Sequence, residues 1–307
     1  MNTMKTLIFG SNGLVGSSLK RLLKENKNYE CFFSTRDDTN LFSLQDTENT
    51  IKKFNPDLII NAAAKVGGIH ANNTQGSSFL IENLKININI LESIINLPEI
   101  KLINLGSSCI YPLNAENPIN EDSFMTGVLE PTNSPYAMAK LTGIELGRAL
   151  RKEFGHKIIN LMPTNLYGPN DNFSEMNSHV IPGLIHRMHM AKLNNEKKFS
   201  IWGTGMPLRE FLHVDDLSNA ILFINENDIE DELLNIGSGE EISIKDLAIK
   251  IKNTVGFNGE LYFNEDMPDG NPRKLLDSKK INDLGWSPKI KLDDGLNFVY
   301  EWYLKNI

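Results

Sequence analysis

The 307-residue chain is long enough for one large core or for two closely packed lobes. Its formal net charge of -8 argues against a surface that coats nucleic acid, and no apolar run approaches the roughly 20 residues that cross a bilayer. Only two cysteines are present and the N-terminal stretch turns polar and glycine-rich too early for a signal peptide, so a reducing, cytoplasmic location is expected.

Strand and helix patterns alternate through the first half of the chain. In chain order we predict a strand at residues 5–10, a helix at 14–23, strands at 31–34 and 57–64, a helix at 79–95, a strand at 101–106, a helix at 136–153 and a closing strand at 157–161. This alternation predicts an α/β fold built on a doubly wound, mostly parallel Rossmann sheet.

The pattern loosens after residue 165. Residues 167–178 are rich in Gly, Pro, Asn and polar side chains, which is typical of a loop at a site. A helix at 243–254 and a strand at 260–263 predict a smaller mixed α/β lobe. We expect residues 1–165 and about 213–237 to bind the nucleotide cofactor, and residues 166–212 and 238–307 to bind the substrate.

A glycine loop connects the first predicted strand to the first predicted helix. It runs Gly10-Ser11-Asn12-Gly13-Leu14-Val15-Gly16, with the spacing G-x-x-G-x-x-G. Glycines at such a turn let a diphosphate approach the backbone and the helix N-terminus. The alternative is an ordinary strand-to-helix turn, but the position directly after the first strand favours a dinucleotide site.

The end of the second predicted strand indicates which dinucleotide binds. An acidic residue there bonds the ribose hydroxyl of NAD, whereas a cation suits the 2′-phosphate of NADP. Here the strand runs into Arg36, and Asp37 and Asp38 follow at once. Arg36 is either a surface charge or a phosphate ligand, and we favour NADP(H) as the cofactor.

Tyr136 and Lys140 lie one helical turn apart, on the same face of a predicted helix. An ammonium beside a phenol lowers the phenol pKa, so that Tyr136 can exchange a proton with an alcohol or ketone. Ser107 follows the strand at 101–105, at the edge of the sheet where ligands bind, and its hydroxyl is placed to bond a carbonyl. There is also a plainer interpretation: Tyr136 and Lys140 are a ring and a charge on one helix face, and Ser107 caps a loop.

These features resemble the extended short-chain dehydrogenase/reductase family, and within it the epimerase-reductases of GDP-linked 4-keto sugars. The similar stretches run nearly from end to end, at residues 62–69, 105–112, 163–169, 177–182, 202–205, 209–216 and 269–274. The resemblance implies NADPH-dependent epimerisation at C3 and C5 and reduction at C4, which convert GDP-4-keto-6-deoxy-D-mannose to GDP-L-fucose.

The resemblance also implies the catalytic roles. Tyr136 protonates the C4 oxygen, Lys140 lowers the Tyr136 pKa and holds the nicotinamide ribose, and Ser107 binds the C4 oxygen. Cys109 and His179 act as base and acid in the epimerisation. Taken singly, Cys109 is equally explained as a small buried hydrophobe and His179 as a loop histidine.

Further binding residues follow from the resemblance. Besides the glycine loop, those expected at the cofactor are Arg36, Leu41, Ala63, Leu105, Gly106, Ser108, Lys140, Pro163, Thr164, Asn165, Leu166 and His179. Those expected at the nucleotide-sugar are Arg187, Trp202, Arg209 and Asp269. The chain departs from the family at Asn12, where a basic residue is usual. A homodimer is expected, with neither nucleic-acid nor membrane partners.

Other functions remain open at the level of sequence. A reductase of a related GDP-4-keto sugar, such as a GDP-4-keto-6-deoxyheptose, has nearly the same requirements. A non-catalytic NADP-binding sensor and an epimerase that retains NAD are further alternatives. No metal site is expected, because His186 and His189 have a compatible spacing but are predicted on a helix surface without other ligands.

Overall fold

A parallel sheet of six strands forms the centre of the fold, in the order β2-β1-β3-β4-β5-β9. The computed structural model describes residues 3–174, 178–267 and 269–307. Its strands are β1 (Met4–Phe9), β2 (Tyr29–Ser34), β3 (Leu58–Asn61), β4 (Lys101–Leu105), β5 (Ile158–Pro163), β6 (Asn165–Tyr167), β7 (Lys198–Trp202), β8 (Leu208–His213), β9 (Leu233–Ile236), β10 (Glu241–Ser243), β11 (Glu260–Asn264) and β12 (Arg273–Lys274).

Helices precede or follow most of these strands. They are α1 (Leu14–Leu23), α2 (Leu44–Phe54), α3 (Ile69–Thr74), α4 (Gly76–Ser93), α5 (Ser134–Phe154), α6 (Val180–Leu193), α7 (Val214–Glu226), α8 (Ile244–Val255), α9 (Lys279–Asp283) and α10 (Leu292–Asn306). Short 3₁₀ turns lie at Ser108–Ile110 and Glu121–Ser123.

The two faces of the main sheet are both apolar, as the sequence predicts for a doubly wound sheet. Along β1, Ile8 packs into a cluster with α1 and α7, whereas Leu7 and Phe9 point the other way, into a cluster with α2 and α4. The predicted fold class is therefore confirmed. The strand order reverses between β1 and β3, and ligands bind at such a switch point in open α/β sheets.

The main sheet has one strand more than the alternation up to residue 161 predicts. Strand β9, from the segment 213–237 that we expect to belong with the cofactor-binding residues, pairs with β5 in parallel from Asn160↔Leu233 to Pro163↔Ile236. The chain leaves the sheet after β5, passes through α6, β7 and β8, and returns through α7 to add a sixth strand.

The second half of the chain forms smaller sheets beside the main one. Strand β8 is their centre: β6 and β12 pair with it in parallel and β10 pairs with it antiparallel, while β7 and β11 form a separate pair. A separate apolar cluster joins α6, α8 and α10. The boundaries placed at residues 165, 213 and 237 stay a prediction, and Ile281 and Trp286 pack with the first cluster.

His186 and His189 lie on α6, as predicted, but they also contact a second helix. Each is half-buried, and their Nδ1 atoms lie 2.8 Å and 3.0 Å from the hydroxyls of Tyr303 and Tyr300. The partners come from α10, more than a hundred residues away. Within the three described ranges, no helix is long and apolar enough to cross a membrane.

Candidate active site

The glycine loop is tightly packed at the switch point of the sheet. Gly10 has a φ of +77°, and a Cβ there would lie 2.7 Å from the Ala63 Cα. A Cβ on Gly16 would lie 2.3 Å from the Gly10 carbonyl oxygen. Only glycine fits at either position, so the turn brings β1, the loop after β3 and the start of α1 into contact.

The same loop has unused hydrogen-bonding capacity, as a phosphate site requires. Helix α1 begins after Gly13 without a side-chain cap, so no side chain satisfies its first amides. The Ser11 hydroxyl is buried, and no hydrogen-bond partner for it lies within the described part of the chain. The residues present therefore fit a dinucleotide diphosphate.

The end of β2 lies directly beside this loop, because the Ser11 amide donates to the Ser34 carbonyl at 3.2 Å. Arg36 is exposed in the turn that follows. The Asp38 carboxylate accepts hydrogen bonds from the Thr35 amide and hydroxyl at 2.9 Å and 2.7 Å, so it closes the turn. The Asp38 carboxylate is thus hydrogen-bonded to Thr35, and the exposed Arg36 side chain is available to an incoming phosphate.

Other predicted cofactor residues lie at the same edge of the sheet. Lys140 donates to the Leu105 carbonyl, and Gly106 has no room for a Cβ because Met162 Cε lies 2.0 Å from that position. Ser108 is buried in the 3₁₀ turn.

The predicted cofactor residues Pro163, Thr164, Asn165 and Leu166 lie where β5 continues into β6. Thr164 and Asn165 both donate to the Glu210 carbonyl on β8. The Leu41 carbonyl accepts from Asn89 on α4.

Ser107, Cys109, Tyr136 and Lys140 come together at the end of β4. The Ser107 hydroxyl accepts from the Cys109 amide at 3.3 Å and interacts with the side chains of Cys109 and Tyr136. The Lys140 ammonium lies 5.7 Å from the centre of the Tyr136 ring. The Tyr136 ring also packs at right angles to the Phe79 ring, with the two ring centres 6.2 Å apart, and this contact helps to orient it.

The acid-base balance of this cluster differs from the sequence expectation. Burial raises the pKa of Tyr136, and so does Cys109, whereas Ser107 is the side chain that lowers it. The Lys140 ammonium lies beside the ring and donates to the Leu105 carbonyl at 2.7 Å. Burial lowers the pKa of Lys140 itself to about 8. Tyr136 is therefore protonated at neutral pH, which suits a proton donor.

Lys274 belongs to this cluster and was not singled out from the sequence. Burial raises the pKa of Cys109, and the positive charge of Lys274 is the strongest of the influences that oppose this shift. Lys274 lies opposite Arg209 in the parallel pairing of β12 with β8. The signal in the sequence was the run Arg273-Lys274, where Arg273 instead pairs with Glu241 at 2.6 Å.

His179 lies at the start of α6, at the end of the loop that follows β6. Burial lowers its pKa, but Asp171 and the Gly67 carbonyl outweigh this, and the net effect is a raised pKa. The Nδ1 atom lies 3.9 Å from Asp171 Oδ1. The prediction of His179 as an acid is consistent with this environment, although its role stays a prediction.

The four residues predicted for the nucleotide-sugar form a connected surface in the second half of the chain. The Arg187 guanidinium lies 5.5 Å from the centre of the Trp202 ring. The Asp269 carboxylate accepts from the Thr204 amide and hydroxyl at 2.7 Å and 2.8 Å, next to Trp202. Burial lowers the pKa of Arg209, whereas the negative charge of Asp269 raises it. Lys274, opposite Arg209, connects this surface to Cys109.

Comparison with known proteins identifies the family. Residues 6–237 match the model of the NAD dependent epimerase/dehydratase family, which covers most of the chain. The chain belongs to the NAD dependent epimerase/dehydratase family. Among relatives of this family it is 48% identical to GDP-L-fucose synthase 1 of Arabidopsis thaliana, over 99% of this chain and 94% of that protein.

Solved structures also match this chain over its whole length. A GDP-6-OMe-4-keto-L-xylo-heptose reductase from C. jejuni superimposes with a TM-score of 0.93 at 32% identity, covering 100% of this chain and 99% of that one. A GDP-L-fucose synthetase from Naegleria fowleri bound to NADP gives a TM-score of 0.90 at 27% identity, covering 100% and 96%. The family resemblance predicted from the sequence motifs is confirmed.

Proposed function

We propose that this protein epimerises GDP-4-keto-6-deoxy-D-mannose at C3 and C5 and reduces it at C4 with NADPH, giving GDP-L-fucose. The observation that carries the proposal is the presence of Cys109 and His179 beside Ser107, Tyr136 and Lys140 in a chain 48% identical to a GDP-L-fucose synthase. A simple reductase needs only the last three residues.

In the reduction, Tyr136 donates its phenol proton to the C4 oxygen. The raised pKa keeps the phenol protonated until charge develops on that oxygen. Ser107 donates a hydrogen bond to the same oxygen and orients the carbonyl. Bound NADPH supplies the hydride to C4. Lys140, held by the Leu105 carbonyl, stabilises the tyrosinate that remains.

In the epimerisation, the 4-ketone acidifies the hydrogens at C3 and C5. Cys109 as a thiolate takes one of these protons, and the electron pair of the broken C–H bond passes into the C4 carbonyl as an enolate. His179 then gives a proton to the opposite face, the electron pair forms the new C–H bond, and a thiol and a neutral imidazole remain. Exchange of a proton with solvent restores the pair. The positive charge of Lys274 favours the Cys109 thiolate that these proton transfers require.

The binding roles follow from the chemistry of the residues. The glycine loop and the start of α1 hold the NADP diphosphate, and Arg36 pairs with the 2′-phosphate. Arg187 and Arg209 pair with the GDP diphosphate, and Trp202 offers a flat exposed face for stacking. Asp269 fixes the loop that carries Trp202.

Incubation of the purified protein with GDP-4-keto-6-deoxy-D-mannose and NADPH tests the proposal. We expect stoichiometric NADPH oxidation and GDP-L-fucose as the product, identified by NMR. Absence of NADPH oxidation contradicts the proposal as a whole. Formation of the unepimerised 4-hydroxy sugar supports the proposed reductase activity and contradicts the proposed epimerase activity.

A GDP-4-keto-heptose is the second candidate substrate. The match of the whole backbone to the heptose reductase, with a TM-score of 0.93 over 100% of this chain, favours it. A comparison of kcat/KM for the 6-deoxyhexose and heptose substrates separates the two. A preference for the heptose, with no epimerised product, selects this candidate.

The proposal includes a cytoplasmic homodimer. Exposed apolar side chains on α4 and α5, among them Ile81, Ile88 and Met138, support pairing through these two helices. Light scattering during gel filtration checks the oligomeric state, and a monomer in solution contradicts this part.

A further inference from the structure

Asp171 is a buried carboxylate that the proposed reaction does not yet use. It lies in the loop between β6 and α6, and its side chain is only 5% exposed. Oδ1 accepts from the Asn172 amide at 2.7 Å. Oδ2 is buried, and no hydrogen-bond partner for it lies within residues 3–174, 178–267 and 269–307. A carboxylate oxygen left in this way is costly unless a donor reaches it.

The packing of the loop on both sides fixes where this carboxylate lies. Gly168 has no room for a side chain, because Val214 Cγ1 lies 2.3 Å from its Cβ position, and the Asp171 amide donates to the Gly168 carbonyl. Two residues after Asp171, Phe173 is buried and stacks on Trp302 at 5.9 Å. Asp171 is therefore held between two anchored residues.

The donor that faces Asp171 is His179. Its Nδ1 lies 3.9 Å from Asp171 Oδ1, and the imidazole does not cap α6 although His179 occupies the cap position. The loop after β3 contributes only the uncharged Gly67 carbonyl to the electrostatics of His179. Among the described residues, Asp171 is the charged group that acts on this ring.

We propose that Asp171 is a positioning residue for His179: its carboxylate holds the Nδ1–H of the imidazole and thereby presents a protonated Nε2 to the sugar ring. The inference rests on the proposed role of His179 in epimerisation. A shift of about 1 Å brings the two atoms to the distance of a charge-assisted hydrogen bond, near 2.8 Å. The carboxylate also favours the imidazolium over the neutral ring, so that His179 keeps its proton to a higher pH than it would without Asp171.

Asp171→Asn tests this role, because it removes the charge and keeps the shape. The measured quantity is the rate of deuterium exchange into the substrate at C3 and C5 as a function of pH. We expect the fall of this rate at high pH to move about one pH unit lower, which is about a tenfold loss at pH 8. Asp171→Glu should restore part of the rate, and the affinity for NADPH should change less than twofold.

The chain offers a matched control in His213, whose Nδ1 also lies 3.9 Å from a carboxylate oxygen, that of Asp215. His213 is fully buried in the core. Asp215→Asn should lower the melting temperature and leave the pH dependence of exchange unchanged. An unchanged pH dependence in Asp171→Asn, or an equal shift in Asp215→Asn, overturns the proposal.

An NMR titration of the His179 ring tests the positioning role of Asp171 independently of activity. The ring should titrate at higher pH in the wild-type protein than in Asp171→Asn, and equal titration overturns the proposal even if the variant folds poorly enough to lose activity. If the wild-type protein shows no deuterium exchange but the titration differs as expected, the proposed epimerisation fails and the Asp171–His179 pair stands.

Discussion

Replacement of Tyr136 by Phe removes one oxygen from the cluster and leaves its packing intact. The ring keeps its edge contact with Phe79 at 6.2 Å, and the side chain loses only the interaction of its hydroxyl with Ser107. We therefore expect a loss of at most about 1 kcal/mol in the free energy of unfolding. The fold and NADPH binding should persist.

The effect on reduction should be much larger. The C4 oxygen loses its proton donor, and general acid catalysis contributes about 10²- to 10⁴-fold. The expected loss in kcat for NADPH oxidation is in that range, or roughly 3–5 kcal/mol in activation free energy. Deuterium exchange at C3 and C5 should continue, because Cys109 and His179 are untouched.

The assay compares NADPH oxidation, deuterium exchange and thermal unfolding in the same preparation. Tyr303→Phe is the control: it removes the hydroxyl of Tyr303 on α10, which lies 2.8 Å from His186 Nδ1 on α6, and it should leave turnover unchanged. Turnover above a tenth of the wild-type value in Tyr136→Phe refutes the assignment of Tyr136 as the proton donor.

Arg36→Ala should raise the KM for NADPH at least tenfold and leave that for NADH nearly unchanged, because the lost contact is to the 2′-phosphate; equal changes for both cofactors contradict the NADP assignment. Gly16→Ala should abolish NADPH binding and lower the melting temperature, since the added Cβ lies 2.3 Å from the Gly10 carbonyl oxygen; normal binding by isothermal calorimetry contradicts this. Burial lowers the pKa of His213, and Asp215 only partly opposes this, so the folded state binds its proton less readily than the unfolded chain. Stability should therefore fall as the pH drops below about 6.5, by at most about 1.4 kcal/mol per pH unit, and His213→Asn should flatten that part of the melting profile; an unchanged profile contradicts this.

The parts of the fold that depend on local pattern were predictable from the sequence. Helix α1 begins and ends where the apolar periodicity does, and β4 is found within one residue of its predicted range. The glycine loop lies directly after the first strand because the turn requires residues without a Cβ. Ser107 and Tyr136, 29 positions apart, meet because β4 ends where α5 passes.

The parts that depend on distant partners were not predictable. The position of β9 at the edge of the sheet depends on its pairing with β5, some 70 residues earlier. The burial of His186 depends on Tyr303. The raised pKa of Tyr136 follows mainly from burial, which cannot be read from the spacing of Tyr136 and Lys140. In the sequence, Asp171 is an acidic residue in a polar loop, and only the folded structure shows that it lies beside His179.

The central claim is that one active site inverts two carbons and then reduces a third. The most direct measurement is mass spectrometry and NMR of the product formed from GDP-4-keto-6-deoxy-D-mannose and NADPH in D₂O. We predict GDP-L-fucose with deuterium at C3 and C5 and the NADPH-derived hydrogen at C4. A reduced product without deuterium at C3 and C5 contradicts the claim.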